Sequence, residues 1–288
     1  MSLDHIGVVG AGTMGTGVAQ LFAEAGFPVA LVDIEPGALT RARAHIAQAL
    51  RLAPLLRPGT PAVPESAIEA ITFTTDFDAL SDAAFVVENV TEEWPVKERV
   101  HRLLDQTCPQ DCVFGVNTSA IQITRVGAAT RRPDRVIGTH FMNPAPMKPL
   151  VEVIRGHLTS DATVKLTREL LERAGKDSIV VSDSPGFVTN RVAMLTVNEA
   201  VFLLQEGVSG AEDIDRLFKE CFGHPMGPLE TADLIGLDTV LASLEVLQES
   251  FGDPKYRPCT LLKELVYAGR LGRKSGQGFH TYESLPTH

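Results

Sequence analysis

Apolar positions along this chain follow two rhythms that alternate through its first two-thirds. Short β-rich runs cover residues 5–10, 29–32, 85–90, 113–117, 136–139, 150–154 and 178–181. Between them lie stretches whose apolar residues recur at helical spacing, 16–25, 38–56, 65–70, 96–105 and 162–174. Strand and helix in alternation predict an α/β fold with a doubly wound, mostly parallel sheet. Residues 57–64 are a proline-rich break, so 38–70 reads as an insertion forming a projecting helical pair. After Ser182-Asp183-Ser184-Pro185-Gly186 the strand rhythm stops, and helical patterns alone continue over 188–206, 211–222, 237–251 and 260–268. The expected organisation is therefore a sheet domain at 1–183 followed by a smaller all-helical domain at 184–288.

The first strand runs directly into Gly10-Ala11-Gly12-Thr13-Met14-Gly15 and then a helix, which makes the sheet domain Rossmann-type. Gly10 permits the tight turn, Gly12 lets backbone approach a pyrophosphate, and Gly15 lets the helix sit close to the strand. The helix N-terminus offers unpaired N–H groups to the anion. The second strand ends on Asp33, 21 residues past Gly12, where a carboxylate holds ribose hydroxyls and repels a 2′-phosphate. No arginine immediately follows it, so the cofactor expected is NAD rather than NADP.

A second chemical signal comes from residues 138–154, G-T-H-F-M-N-P-A-P-M-K-P-L-V-E-V-I. His140 follows one apolar run and Glu152 interrupts another. A carboxylate inside an apolar run is costly to bury without a partner, and an imidazole is a partner that also transfers protons near neutral pH. The pair reads as a base and its orienter. The plainer reading is a core histidine satisfied by backbone and a solvent-facing glutamate.

Composition narrows the classes. With 288 residues, 44% hydrophobic and 22% charged, the chain resembles ordinary globular proteins, and its net charge of −10 argues against nucleic acid or an anionic membrane as partner. Its first residues lack a signal peptide's basic and apolar stretches, and no run approaches the roughly eighteen apolar residues of a membrane span. A cytoplasmic location is expected. Cys108, Cys112, Cys221 and Cys259 lack zinc-type spacing, so they read as reduced structural thiols, with no metal.

Together these pieces resemble the 3-hydroxyacyl-CoA dehydrogenase family over nearly the whole chain. The resemblance rests on G-A-G-T-M-G-T-G-V-A from Gly10, N-T-S-A-I from Asn117, H-F-M-N-P-A-P from His140, P-G-F-V-T-N-R from Pro185, H-P-M-G-P-L from His224, D-L-I-G-L-D from Asp233 and G-R-K-S-G-Q-G-F from Gly272. It implies an NAD-dependent oxidoreductase of 3-hydroxyacyl thioesters, with the S alcohol as substrate and a homodimer formed through the helical domain. It also implies roles: His140 as catalytic histidine, Glu152 as its partner, Ser119 as hydrogen-bond donor to the substrate oxygen, and Asn190 as a substrate-positioning residue. Glu92, Lys97, Asn143 and Lys274 match cofactor-contacting positions.

The chain departs from the pattern in places. Family members carry a lysine-rich segment in the projecting pair, where it meets coenzyme A phosphates, but here no lysine lies between Asp33 and Lys97. Arg51 and Arg57 are possible replacements, since arginine binds phosphate well. The other explanation is an acyl group delivered on a carrier protein's phosphopantetheine arm. Pro149 separates Lys148 from the following strand, and His280 stands where a tyrosine is usual. Two other functions compete. Related 3-hydroxyacid dehydrogenases use a lysine in the helix that here contains Arg191, and a crystallin-like, non-enzymatic NAD-binding protein would have lost the catalytic set.

Overall fold

The computed structural model describes residues 4–56 and 64–282. Residues 57–63, which include Arg57 and most of the expected proline-rich break, lie outside the described residues. The chain divides into two compact units, Met1–Ser184 and Pro185–His288.

The first unit is built on an eight-stranded sheet: β1 (Ile6–Val9), β2 (Val29–Val32), β3 (Ile71–Thr74), β4 (Phe85–Glu88), β5 (Val113–Val116), β6 (Val136–His140), β7 (Leu150–Arg155) and β8 (Asp177–Ser182). Their order across the sheet is β3-β2-β1-β4-β5-β6-β7-β8. The first six in that order are parallel; β7 runs antiparallel to β6, and β8 pairs parallel to β7. The mostly parallel sheet is as expected, with the two reversed strands at one edge. β3 has no counterpart in the sequence reading, because its four residues, I-T-F-T, are half-buried at the opposite edge and show little alternation.

Its helices are α1 (Thr13–Glu24), α2 (Pro36–Leu56), α3 (Trp94–Thr107), α4 (Ile123–Ala128) and α5 (Asp161–Arg173). Alternate strand residues Ile6, Val8, Leu31, Phe85, Val87, Val113, Ile137, Val151 and Val153 share one core with Val18 and Phe22 of α1, Ile46 and Leu50 of α2, and Leu170 of α5. The insertion therefore does not simply project. Leu39, Ala42, Ile46 and Leu50 of α2 are buried, and the chain returns through one 3-10 segment, Glu65–Ala70, whose Ala67, Ile68 and Ala70 pack on the same core. The remaining strand positions face the opposite side. There Ile123 of α4 lies over Gly138, and His101 of α3 lies against the Phe114 ring.

The second unit is helical: α6 (Thr189–Gln205), α7 (Ala211–Phe222), α8 (Pro228–Ile235), α9 (Leu237–Phe251) and α10 (Thr260–Tyr267). Its core gathers Met194, Val197 and Val201 with Leu229, Val240, Leu244, Leu247, Tyr256 and Leu262. α8 is absent from the sequence reading because P-M-G-P reads as a break, whereas Pro228 occupies the first helical position, where its missing N–H costs nothing. The closing segment folds back on α8: Asp233 accepts from the amides of Phe279 and His280 and from the Tyr282 hydroxyl. His280 does more than replace a tyrosine, since its Nε2 lies 2.7 Å from the buried Asp215 carboxylate. Among the described residues, no helix is long and apolar enough to cross a membrane.

Candidate active site

The sheet order reverses between β1 and β4, and the crevice beyond the carboxyl ends of these strands is where open α/β sheets take their ligands. A cavity of about 650 Å³ lies there, lined by Gly10 to Thr13, by Asp33, Ile34 and Glu35 after β2, and by Asn89 to Thr91 after β4. Gly10 adopts φ 95°, and a Cβ on Gly15 would fall 1.7 Å from the Gly10 carbonyl oxygen, so both glycines serve the close packing of α1 on β1. Gly12 differs: a Cβ there would meet no protein atom within 4 Å. Its backbone borders open space, and no side chain caps α1, so the first-turn N–H groups are available to a ligand. These features fit a dinucleotide pyrophosphate. Asp33 accepts from the Ala11 amide at 2.6 Å and the Glu35 amide at 2.9 Å, which ties its carboxylate to the rim of the cavity.

A second group of polar residues lies on the sheet face opposite α1. His140 ends β6, and antiparallel register pairs it directly with Glu152 of β7. Directly opposed residues point their side chains to the same face, which is how two residues twelve apart meet. His140 Nδ1 lies 3.0 Å from Glu152 Oε2, and both residues are buried, at 7% and 6% exposure. On its other edge, His140 Nε2 lies 3.1 Å from the Ser119 hydroxyl. Three of the four residues expected to act together are thus in one hydrogen-bonded row. Asn190, the fourth, lies in the first turn of α6 in the second unit.

Glu92 turns toward the loop after β5. Its Oε1 accepts from the Ser119 and Ala120 amides at 3.0 and 3.1 Å and from the Thr118 hydroxyl. Lys97, expected at a cofactor-contacting position, instead has a fully buried side chain. Its ammonium donates to both Glu88 oxygens, at 2.9 and 3.1 Å, and to the Asn117 carbonyl at 3.2 Å, and it lies 3.5 Å from Glu92. His101, one turn on along α3, approaches Glu88 at 3.1 Å. Burial alone would raise the Glu88 carboxyl, but Lys97 and His101 outweigh it and hold its pKa below the ordinary carboxylate value. Glu88 and His101 are absent from the sequence reading. The available signal was a carboxylate closing an apolar strand, with Lys97, His101 and Asp105 at successive four-residue steps on one helix face.

Asn143 is exposed in the turn after β6, and Lys274 of the second unit pairs with both oxygens of Asp238 at 2.6 and 2.7 Å. Arg51 is exposed on α2 and donates to the Ala47 carbonyl. Arg191 donates to the Tyr256 hydroxyl at 2.7 Å. Asn117, the first residue of the N-T-S-A-I motif, ties the two halves of the site: its amide donates to Asn89 at 2.7 Å and its oxygen accepts from the Phe141 amide at 3.1 Å. All four cysteines are unpaired thiols.

Comparison with known proteins matches residues 5–184 to the family model of the 3-hydroxyacyl-CoA dehydrogenase NAD binding domain and residues 186–282 to that of the C-terminal domain. The chain is 44% identical over 283 residues to a probable 3-hydroxybutyryl-CoA dehydrogenase of Bacillus subtilis, covering 98% of this chain and 99% of the relative. Among solved structures it is similar to (S)-3-hydroxybutyryl-CoA dehydrogenase from Ralstonia eutropha, at TM-score 0.92 and 43% identity over 98% of this chain and all of that one. It is also similar to a Mycobacterium tuberculosis protein, at TM-score 0.94 and 38% identity, with 98% and 100% of the two chains covered.

Proposed function

Because the chain belongs to the 3-hydroxyacyl-CoA dehydrogenase family of NAD-dependent oxidoreductases, we propose that it interconverts (S)-3-hydroxyacyl-CoA and 3-oxoacyl-CoA, with short acyl chains of the 3-hydroxybutyryl type and His140 as general acid and base. The observation that carries this reading is the hydrogen-bonded row Ser119, His140, Glu152, in which His140 and Glu152 are buried. Glu152 accepts from Nδ1–H, leaving Nε2 without a proton and facing the Ser119 side, where the substrate hydroxyl belongs. In oxidation Nε2 takes the hydroxyl proton, and the adjacent carboxylate stabilises the imidazolium that forms. The Ser119 hydroxyl donates to the substrate oxygen as its negative charge grows. In reduction the imidazolium returns its proton to the new alkoxide. Accepting or donating hydride at carbon three is the chemistry that NAD supplies when bound. Residues Gly10 to Gly15 and Asp33 hold that cofactor in this reading, which also keeps Asn143 and Lys274 as cofactor-contacting residues and Asn190 as a substrate-positioning residue.

We read the enzyme as a cytoplasmic homodimer. Supporting this are its thiol cysteines and the exposed apolar side chains Val192, Leu217 and Phe222 of the second unit. The test is NADH consumption with acetoacetyl-CoA. The parent enzyme turns over and His140→Ala loses at least about a hundredfold in rate; a His140→Ala variant at parental rate would refute the assignment. The lysine-free stretch between Asp33 and Lys97 favours one further arm of this assay, the same acetoacetyl group on a carrier protein. Turnover of that form with none of acetoacetyl-CoA would move the substrate to the carrier-bound thioester.

A further inference from the structure

The hydroxyl of Ser119 works only if the loop carrying it, residues 117–122, is held still against β6. Glu92 does most of this holding. One of its oxygens, Oε1, takes donors from three consecutive residues, the Thr118 hydroxyl and the Ser119 and Ala120 amides. A carboxylate oxygen offers about two lone-pair sites, so three donors leave Oε1 no capacity for a ligand. Its other oxygen faces the Lys97 ammonium at 3.5 Å. Lys97 also grips the base of the loop through the Asn117 carbonyl, and it is neutralised from below by Glu88. Asn117 in turn accepts from the amide of Phe141, the residue after His140. The loop is thus fixed to Lys97 at one point, to Glu92 at three, and to the end of β6 at a fifth, with the Ser119 hydroxyl 3.1 Å from His140 as the result.

From this arrangement we infer that Glu92 is a positioning residue for Ser119, backed by the buried Lys97, rather than a group whose main role is to touch the cofactor. The inference rests on the proposed role of Ser119. It places the function of both charges one step behind the reacting atoms: they set where a neutral hydroxyl stands. It also explains why an ammonium expected near the cofactor has no exposed surface.

Four variants, Glu92→Ala, Glu92→Gln, Ser119→Ala and Glu92→Ala with Ser119→Ala, are compared by turnover with acetoacetyl-CoA and by NADH binding from fluorescence titration. A misplacement of about 1 Å costs up to about a hundredfold, so Glu92→Ala lowers kcat by about ten- to a hundredfold while the Kd for NADH stays within about threefold. Glu92→Gln keeps an oxygen that accepts the two amides, and so retains several times more activity than Glu92→Ala. Because the residues act as a unit, Glu92→Ala costs less than about threefold when Ser119 is already alanine. A rise of about tenfold in the NADH Kd with kcat unchanged would make Glu92 a cofactor contact and overturn the inference, as would losses that multiply in the double variant. Ser119→Ala at parental rate fails differently: it removes the role of Ser119 itself, and the clamp falls with it. Should Glu92→Ala not fold, Glu92→Gln carries the test, with a severalfold loss in kcat at constant NADH Kd expected and an unchanged kcat overturning the inference.

Discussion

Replacing Glu152 by glutamine removes one charge from the centre of the site and changes little else. The amide is close in size to the carboxyl, and its oxygen still accepts from Nδ1–H, so the tautomer of His140 is kept. In the proposed mechanism, what is lost is the attraction between a carboxylate and the imidazolium that forms as the substrate proton is taken. Nδ1 and Oε2 are 3.0 Å apart, and both residues are more than nine-tenths buried, so solvent screens the pair little. With charge centres about 4 Å apart and an effective dielectric of about 20, the attraction is about 4 kcal/mol. At about 1.4 kcal/mol per factor of ten this corresponds to about a thousandfold, within the usual range of about 10²–10⁴ for general acid and base catalysis. The assay is oxidation of (S)-3-hydroxybutyryl-CoA at saturating NAD, read as NADH formed, with NADH affinity and the thermal midpoint measured on the same preparation. Glu152→Gln should lose about a thousandfold in kcat with NADH affinity unchanged. A loss smaller than about tenfold in a folded variant would mean that Glu152 orients His140 without stabilising its charge, and the electrostatic argument would be refuted.

Three further outcomes follow from the same geometry. Gly12→Ala adds a methyl into open space and should leave the thermal midpoint unchanged while weakening NADH binding, whereas Gly15→Ala drives a methyl into the Gly10 carbonyl and should lower the midpoint by roughly 5 °C or more. Equal behaviour of the two would contradict the division between cradle and packing glycine. Lys97→Met strands the Glu88 carboxylate in the interior and should cost about 3–5 kcal/mol in urea unfolding, part of it recovered when Glu88→Gln is added; no recovery would show that the pair is not the source. Burial pushes the Glu88 and Asp105 carboxyls up, but Lys97 and His101 at the first, and Arg131 and Arg132 at the second, leave both below the ordinary value. The unfolded chain therefore takes up protons first on acidification, so this stability is complete above about pH 4–5 and is lost as pH falls through the folded values, and a midpoint that rises below about pH 4 would reverse the sign.

The parts of this protein that were legible in its sequence are those set by local chemistry. The glycine turn could be read because each glycine has a steric reason that holds wherever a strand feeds a helix. The pairing of His140 with Glu152 could be suspected because a carboxylate in an apolar run needs a partner, and β6 and β7 are joined by a short connection. What residues could not reveal was register: a shift of one residue would have put Glu152 on the opposite face, and only the pairing of Thr139 with Val153 and of Gly138 with Ile154 settles it. The burial of Lys97 was hidden for a related reason. With His101 and Asp105 it marks a face of α3, and whether that face meets solvent or another carboxylate depends on where β4 and β5 end.

The connection between β6 and β7 shows how such distant dependence arises. Residues 141–149 include Pro144, Pro146 and Pro149, none of which has an N–H to give, so the turn cannot be fastened through ladder hydrogen bonds at those positions. Its carbonyls remain as acceptors, and Lys176 supplies the donor: its ammonium reaches the Pro146 oxygen at 2.9 Å and the Lys148 oxygen at 2.8 Å, while the Asp177 amide takes the Pro149 oxygen at 2.9 Å. Lys176 is itself buried, just before β8 begins. The proline that separates Lys148 from β7 thus acts on backbone that β8 holds in place. That strand runs parallel to β7 along its whole length, from Leu150 beside Asp177 to Arg155 beside Ser182. The position of Glu152 against His140 is accordingly fixed from both sides, by β6 through register and by β8 through the same ladder and the lysine that precedes it, which gives the reversed edge of an otherwise parallel sheet its purpose.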